Sequence, residues 1–293
     1  MNKNYKTLNM NRDAQNLNNM VYTDYYYRLS LLARSVFKWE GLPPHIKERW
    51  IERNLFYYGQ CMFFEDPKIG LTIAQCADHG VINEQEEPTE LTPVSLNGII
   101  KVQPYENGIN AVLMRNNDDR LPTQPTIILY AQRLTNIQRT IDVNINAQKT
   151  PVTVATTEKQ QNTVKQIFKQ VDYNSVVVYP DKEIDLSTFK VFKTDAPIVF
   201  PQLQVQKHEV WNEAMTFLGV NNANMDKRER LVTNEVEANN EQIELSAETM
   251  LKARQEAADE INRIFNTNIS VKMRNAAELN KKGVNANLEG DNK

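Results

Sequence analysis

The chain has 293 residues, 41% of them hydrophobic and 24% charged, with a formal net charge of −3 and a mean hydropathy of −0.57. That composition supports one large core or two to three small ones, with much of the surface left to water or partners. It excludes a protein that holds nucleic acid by bulk positive charge, and no apolar run approaches the ~18 residues that a membrane span needs.

The first nineteen residues, MNKNYKTLNMNRDAQNLNN, are Asn-rich, with Lys3, Lys6 and Arg12 against Asp13. They hold no apolar stretch of the kind a secretion signal needs, and are expected to be a frayed arm. Residues 21–39 are expected to form a helix, because Tyr22, Tyr26, Leu29, Leu32, Val36 and Trp39 recur at intervals of three and four. Gly41, Pro43 and Pro44 stop it. A second amphipathic helix is expected over 45–58, carried by Ile46, Trp50, Ile51, Leu55 and Tyr58. From Cys61 to Leu121 the pattern changes. Short apolar stretches such as 98–102 and 109–114 alternate with Pro, Gly and Asn, which predicts a small antiparallel β unit, barrel-like if closed. Asn107-Gly108 is its best hairpin turn.

Residues 123–148 then predict a long helix, with Tyr130, Leu134, Ile137, Ile141 and Ile145 along one face and Thr, Asn, Gln and Arg along the other. Its length would be roughly 35–40 Å, and Pro151 closes it. Residues 152–200 read as a small α/β insertion. Strands are expected at 152–155, 175–179 and 189–193, with a helix at 163–171. The segment 150–200 balances six lysines with six acidic residues, a neutral surface suited to packing against copies of itself. A second long helix is expected over 201–220, with Trp211, Ala214, Met215 and Leu218 on one face and Gly219 at the cap. Residues 222–240 lack a sustained period and read as a loop. The last helix, over about 240–266, carries Ile243, Ala247, Met250, Arg254, Ala257, Ile261 and Ile264 in one stripe that only Arg254 breaks. The tail from Lys281 is expected to be disordered.

Covalent chemistry finds little support in these residues. None of the nine glycines is spaced to cradle a phosphate. His45, His79 and His208 are far apart and form no H-x-x-x-H pair. Cys61 and Cys76, fifteen positions apart, suit neither a zinc knuckle nor a redox pair. They are expected as reduced, packed thiols, which points to assembly in a reducing, intracellular setting. Cys76 with His79 reads as an ordinary turn rather than a nucleophile pair. Asp118-Asp119, in RNNDDR, reads as a solvated turn rather than a cation site. Asp195 reads as a strand end or turn cap rather than a base. No cofactor, metal or enzymatic activity is expected.

Several runs in register carry a resemblance. FKWEGLPP (37–44), NINAQKTPV (144–152), FKTDAP (192–197), VWNEAMTFLGV (210–220) and NAN-x-x-KRER-x-VT-x-EV (222–236) resemble the portal proteins (head–tail connector, upper collar) of phi29-like small podophages, over roughly residues 20–270. The resemblance implies a mainly α fold with α+β portions: a portal-type subunit with long stem helices, a small SH3-like β-barrel in the wing and a small α/β clip. The wing would be 1–122 with 221–293, the stem 123–149 and 201–220, the clip 150–200. It implies a dodecameric ring at the capsid vertex of the virion, assembled in the host cytoplasm, through which double-stranded DNA is packaged and ejected. Its partners would be copies of itself, the major capsid and scaffolding proteins, a packaging ATPase with or without a packaging RNA, and tail or lower collar proteins, with no membrane. Lys193, and Lys227 with Arg228 in a loop projecting into the tunnel, match channel-lining positions of the family. Where relatives carry a further lysine this chain has Gln202, so that ring would be neutral. Residues 226–244 hold three basic and six acidic residues, and the loop is expected to act as a compliant valve against DNA sliding back. Twelve copies would carry a net charge of about −36, consistent with weak contact to passing phosphates. The competing readings are another ring-shaped virion protein, such as a tail adaptor, and a nucleic-acid-processing enzyme.

Overall fold

The computed structural model describes residues 3–95, 98–148, 152–154, 189–191, 197–220 and 233–274. They fall into two compact units: residues 1–135 with 208–293, and residues 136–207. The expected elements at 163–171 and 175–179, and the tail from Lys281, lie outside the described residues.

The larger unit begins with α1 (Lys3–Ala33). The helix therefore starts within the expected frayed arm and stops six residues short of the expected end at Trp39. Arg34 and Ser35 turn back onto the carbonyls of Ser30 and Leu32 and end it. The chain then forms β1 (Phe37–Glu40), where Phe37 and Trp39 point inward on alternate positions. The three-residue step from Val36 to Trp39 fits a helix on spacing alone. The deciding partner is a strand more than two hundred residues away, which the local pattern does not contain. α2 (Glu48–Tyr58) follows and buries Ile51, Leu55 and Phe56. It closes on Gly59 at φ 75°, where a Cβ would sit 1.9 Å from the Arg120 carbonyl oxygen.

Five strands form one antiparallel sheet: β2 (Gln60–Asp66), β3 (Gly70–Ile82), β4 (Pro88–Val94), β5 (Tyr105–Glu106) and β6 (Ala111–Arg115), in the order β5-β4-β3-β2-β6. The expected β unit is thus a curled open sheet. Its edge strands β5 and β6 are joined by the Asn107-Gly108 turn, where the Asn107 side chain accepts from the Leu113 amide. Met62, Phe64, Ala74, Leu91, Tyr105 and Leu113 fill the concave side. Cys61 to Phe64 are all buried, because the second face of β2 is covered too: Phe63 meets Phe265, ring centroids 5.3 Å apart. That explains a continuous apolar run where a half-exposed strand would alternate. Residues 98–102, read from sequence as strand-like, form no strand. Their place is fixed instead by the Asp66 carboxylate, which caps the β2–β3 turn at Lys68 and Ile69 and accepts from the Lys101 amide.

α3 (Gln124–Ala147) buries Ile127, Ala131, Leu134 and Ile141, so its core stripe includes Ile127 and Ala131 and leaves Ile145 exposed. α4 (Phe200–Phe217) buries Val210, Ala214 and Met215. α5 (Thr233–Phe265) begins inside the stretch expected to be a loop, so the expected loop 222–240 is helical from Thr233. Helix-forming Glu and Ala at 235, 237 and 238 support that start, although the apolar period is absent there. β9 (Ser270–Met273) pairs antiparallel with β1, Phe37 opposite Met273 and Trp39 opposite Val271.

In the smaller unit, β7 (Val152–Val154) pairs antiparallel with β8 (Phe189–Val191). The Asn144 side chain donates to the Pro197 carbonyl at 2.8 Å and accepts from the Val199 amide at 3.2 Å. Lys207 donates to Gln138 at 3.1 Å.

Candidate functional site

The sequence places channel duty on Lys193, Lys227 and Arg228, and all three lie outside the described residues. Lys193 follows the end of β8 at Val191, and Lys227 with Arg228 fall between Val220 and Thr233. Gln202 sits exposed in the first turn of α4. The structure does describe the two ends of the 221–232 segment. At its start, Val220 donates to the Met215 carbonyl and Gly219 to the Thr216 carbonyl, the paired bonds that close a helix through a left-handed residue. Gly219 has φ 69°, and a Cβ there would lie 2.4 Å from the Ala247 Cβ. The end of α4 is therefore seated directly on α5, which leads away from the other end of the segment.

α5 itself is fixed by the residue that broke its apolar stripe. Arg254 and Glu52 are each 2% exposed. The Arg254 guanidinium donates to both oxygens of Glu52 (3.0 and 2.9 Å), to the Asn116 carbonyl (3.0 Å) and side-chain oxygen (2.9 Å), and to the Met250 carbonyl (2.8 Å). All five of its donors are used. Its carbon lies 4.0 Å from the centre of the Phe37 ring, and Glu52 also accepts from the Trp39 indole at 2.9 Å. One side chain thus ties α5 to α2, to β1 and to the RNNDDR turn. Sequence showed an oddity at Arg254 but not its partners, which lie 202 and 138 positions away.

The same unit carries an acidic cleft of about 630 Å³ between the β3–β4 turn, the β5–β6 turn and α5. Glu87, Glu90, Glu106, Glu256 and Glu260 line it, and Arg115 spans it, bonded to Glu87 at 2.7 Å and Glu256 at 2.8 Å. Carboxylates dominate, so the cleft repels phosphate and suits a cationic partner. No pattern in the sequence marked it, because its glutamates come from three separate elements.

The other candidates resolve as structural groups. Cys76 is buried and His79 exposed, on opposite sides of β3, with His79 3.6 Å from Glu90. Burial pushes the Cys76 thiol up to about 12, and the nearby Asp78 adds to the rise. Burial also raises Cys61 strongly. Neither is a thiolate near neutral pH, which removes nucleophile chemistry at both. Asp118 and Asp119 are exposed in a turn held by Asn116 and Asn117, whose amides donate to the Leu121 carbonyl at 2.7 and 2.9 Å. Among the described residues no group of three or more His, Cys, Asp or Glu could hold a metal. None of the described helices is long and apolar enough to cross a membrane.

Long helices, a curled five-stranded sheet and a second compact unit are the parts of a portal-type subunit. Its fold matches a chain from the portal and tail of native bacteriophage P68 over 98% of both chains, with 11% identity and a TM-score of 0.59. Weaker likenesses join it to an HK97 family phage portal protein from Corynebacterium diphtheriae (10% identity, 88% of this chain and 94% of that one, TM-score 0.39) and to the virion of a native gene transfer agent particle (7%, 93% and 86%, 0.41). In sequence, residues 4–278 match the family described as Phage Connector (GP10). The chain belongs to that family: it is a phage portal, or head–tail connector, a structural component of the virion's portal vertex and not an enzyme.

Proposed function

We propose that about a dozen copies of this chain form a closed ring whose central channel passes double-stranded DNA into and out of the capsid. Membership of the connector family over residues 4–278 carries this reading. In it, 1–122 and 221–293 form the wing, with the curled sheet as its SH3-like part. Residues 123–149 and 201–220 form the stem, and 150–200 the clip. Lys193, Lys227 and Arg228 face the channel as sparse cationic rings, and Gln202 leaves a neutral one. Sparse rings suit passage, since each phosphate neutralised strengthens binding and a continuous basic lining would hold the duplex. The energy comes from a separate packaging ATPase docked on the clip. Capsid, scaffolding and tail or lower collar proteins are the ring's other partners.

The expected valve, 226–244, is helical from Thr233, so the valve role falls to the part of it before that helix, within the segment 221–232. It is tethered at one end by the Gly219–Ala247 seat and continues at the other into α5. Negative-stain images of the pure protein, viewed end-on, test the ring: a closed annulus with a hole of about 20 Å or more, wide enough for duplex, is expected. A monomer or compact dimer, alone and in capsids, would refute it. Neutralising Lys193, Lys227 and Arg228 together is expected to lower packaged DNA length or retention in assembled particles, while ring formation is unchanged.

A further inference from the structure

Of the eleven arginines whose side chains the structure describes, eight pair with a carboxylate. The other three, Arg34, Arg49 and Arg53, pair with none among the described residues. They gather at one place, the end of α1 and the outer face of α2. Arg34 and Arg53 share one ring: their guanidinium carbons lie 5.9 and 5.5 Å from the centre of Tyr57. Arg53 also lies 5.2 Å from the Trp50 ring, and Arg34 5.7 Å from that of Phe56. Rings and guanidiniums therefore alternate along a row: Trp50, Arg53, Tyr57, Arg34, Phe56. Arg49 stands one helical turn before Arg53 on the same face of α2.

The chain alone gives these charges no opposite number. Like charges four apart weaken a helix, and Arg49, in the first turn of α2, opposes the positive end of the helix dipole. The cap residue Lys47 makes no side-chain bond to that end. The two glutamates of α2 are engaged elsewhere, Glu48 by Arg274 and Glu52 by Arg254. Arg49 and Arg53 are exposed and Arg34 is half-buried, with one donor used on the Ser30 carbonyl. A guanidinium stacked on a ring is held flat with its N–H edge open to an anion. Trp50 and Tyr58 add ring surface, 43 and 45% exposed, and the Trp50 indole is fixed by its bond to the Ile73 carbonyl at 3.3 Å.

We propose that this row binds a nucleic-acid strand, at a site distinct from Lys193, Lys227 and Arg228. Phosphates lie on the three guanidiniums and bases lie against the exposed rings. A single strand is the occupant that matches, because it repeats an anionic group and a flat one whatever its sequence. An acidic protein surface supplies the anions without the flat partners that fit Trp50 and Tyr58. The row lies within one chain, so the site does not rest on the ring reading and is measurable on monomer or ring.

The test is fluorescence anisotropy of the full chain with labelled DNA and RNA single strands of one sequence, across a salt series. The variants are Arg34→Gln, Arg49→Gln and Arg53→Gln, singly and together, and Trp50→Leu. Circular dichroism checks folding, and the exposed positions of Arg49 and Arg53 keep the test readable if Arg34→Gln unfolds. Each arginine change is expected to lower the slope of log affinity against log salt by about 0.7. Trp50→Leu is expected to weaken binding by about fivefold or more at an unchanged slope. The same losses are expected in a background with Lys193, Lys227 and Arg228 neutralised. The sugar bound more tightly identifies the strand as DNA or RNA. Unchanged affinity and slope in the combined arginine variant would overturn the site. Displacement of the strand by polyglutamate, charge for charge as effective as unlabelled strand, would overturn it too and assign the row to an acidic protein.

Discussion

Replacing Arg254 by methionine isolates the central node of the larger unit. The substitution keeps most of the volume and removes five donors. It leaves the Glu52 carboxylate 2% exposed with the Trp39 indole as its remaining partner in the node. Breaking a buried pair from one side costs about 3–5 kcal/mol, because an uncompensated charge stays in place. Against a typical domain stability of about 5–15 kcal/mol that is a large fraction. For a unit of this size it corresponds to a fall in Tm of roughly 6–20 °C. The double variant Arg254→Met, Glu52→Met removes the charge as well and leaves an apolar contact around Phe37. It is expected to recover most of the loss, so the two single costs are strongly non-additive. Urea unfolding of all four proteins measures this, at one protein concentration because assembly adds to apparent stability. Single costs below about 1 kcal/mol, or costs that simply add, would refute the reasoning that the node is a tightly desolvated ion pair.

Gly219→Ala combines a left-handed backbone with a Cβ 2.4 Å from the Ala247 Cβ. It is expected to cost more than the ~1 kcal/mol of an ordinary glycine substitution and to raise amide exchange in α4's last turn, read by mass spectrometry. The Asp66 carboxyl is held below the usual carboxylate range, chiefly by the Lys101 amide and then by the Lys68 amide. Its folded pKa lies below its unfolded one, so its contribution is present above about pH 4 and is lost as pH falls through the folded value. Asp66→Asn is therefore expected to flatten the acid limb of a stability–pH curve, which acid titration followed by circular dichroism checks. Cys61 and Cys76 are expected to resist maleimide at pH 7 in the folded chain and to react fully in urea, since burial raises both thiols. Fast labelling of the native protein would show that the concave core opens.

How legible the fold was depended on how local its causes are. α3 and α4 follow from apolar periods within one helix, and the end of α4 from a single glycine. The turn at Asn107-Gly108 was equally local, but the hairpin expected there does not form, because the strands it joins, β5 and β6, lie at opposite edges of the sheet. By contrast, the end of α1 and the existence of β1 depend on β9, and the role of Arg254 depends on Glu52 and Asn116. No short window contains those partners. The curled sheet was legible as a class of structure but not in extent: residues 98–102 have strand-like composition yet form a loop, held at the Lys101 amide by the Asp66 carboxylate. Of the candidate site, the residues that resemble channel positions were found through family resemblance alone. The acidic cleft was invisible because its glutamates gather only in three dimensions.

The β1–β9 ladder has a consequence for how the protein is made. During synthesis, Phe37 to Glu40 emerge early and have no strand to pair with until residues 270–273 leave the ribosome. The Arg274 side chain, which reaches the carbonyl of Ser35 and the carboxylate of Glu48, arrives at the same late moment. A chain cut short by premature termination would hold α1, α2 and the curled sheet but leave that edge open. The ladder therefore couples the folding of residues 37–40 to the arrival of residues 270–274, so β1 gains its partner only after some two hundred intervening residues have been made.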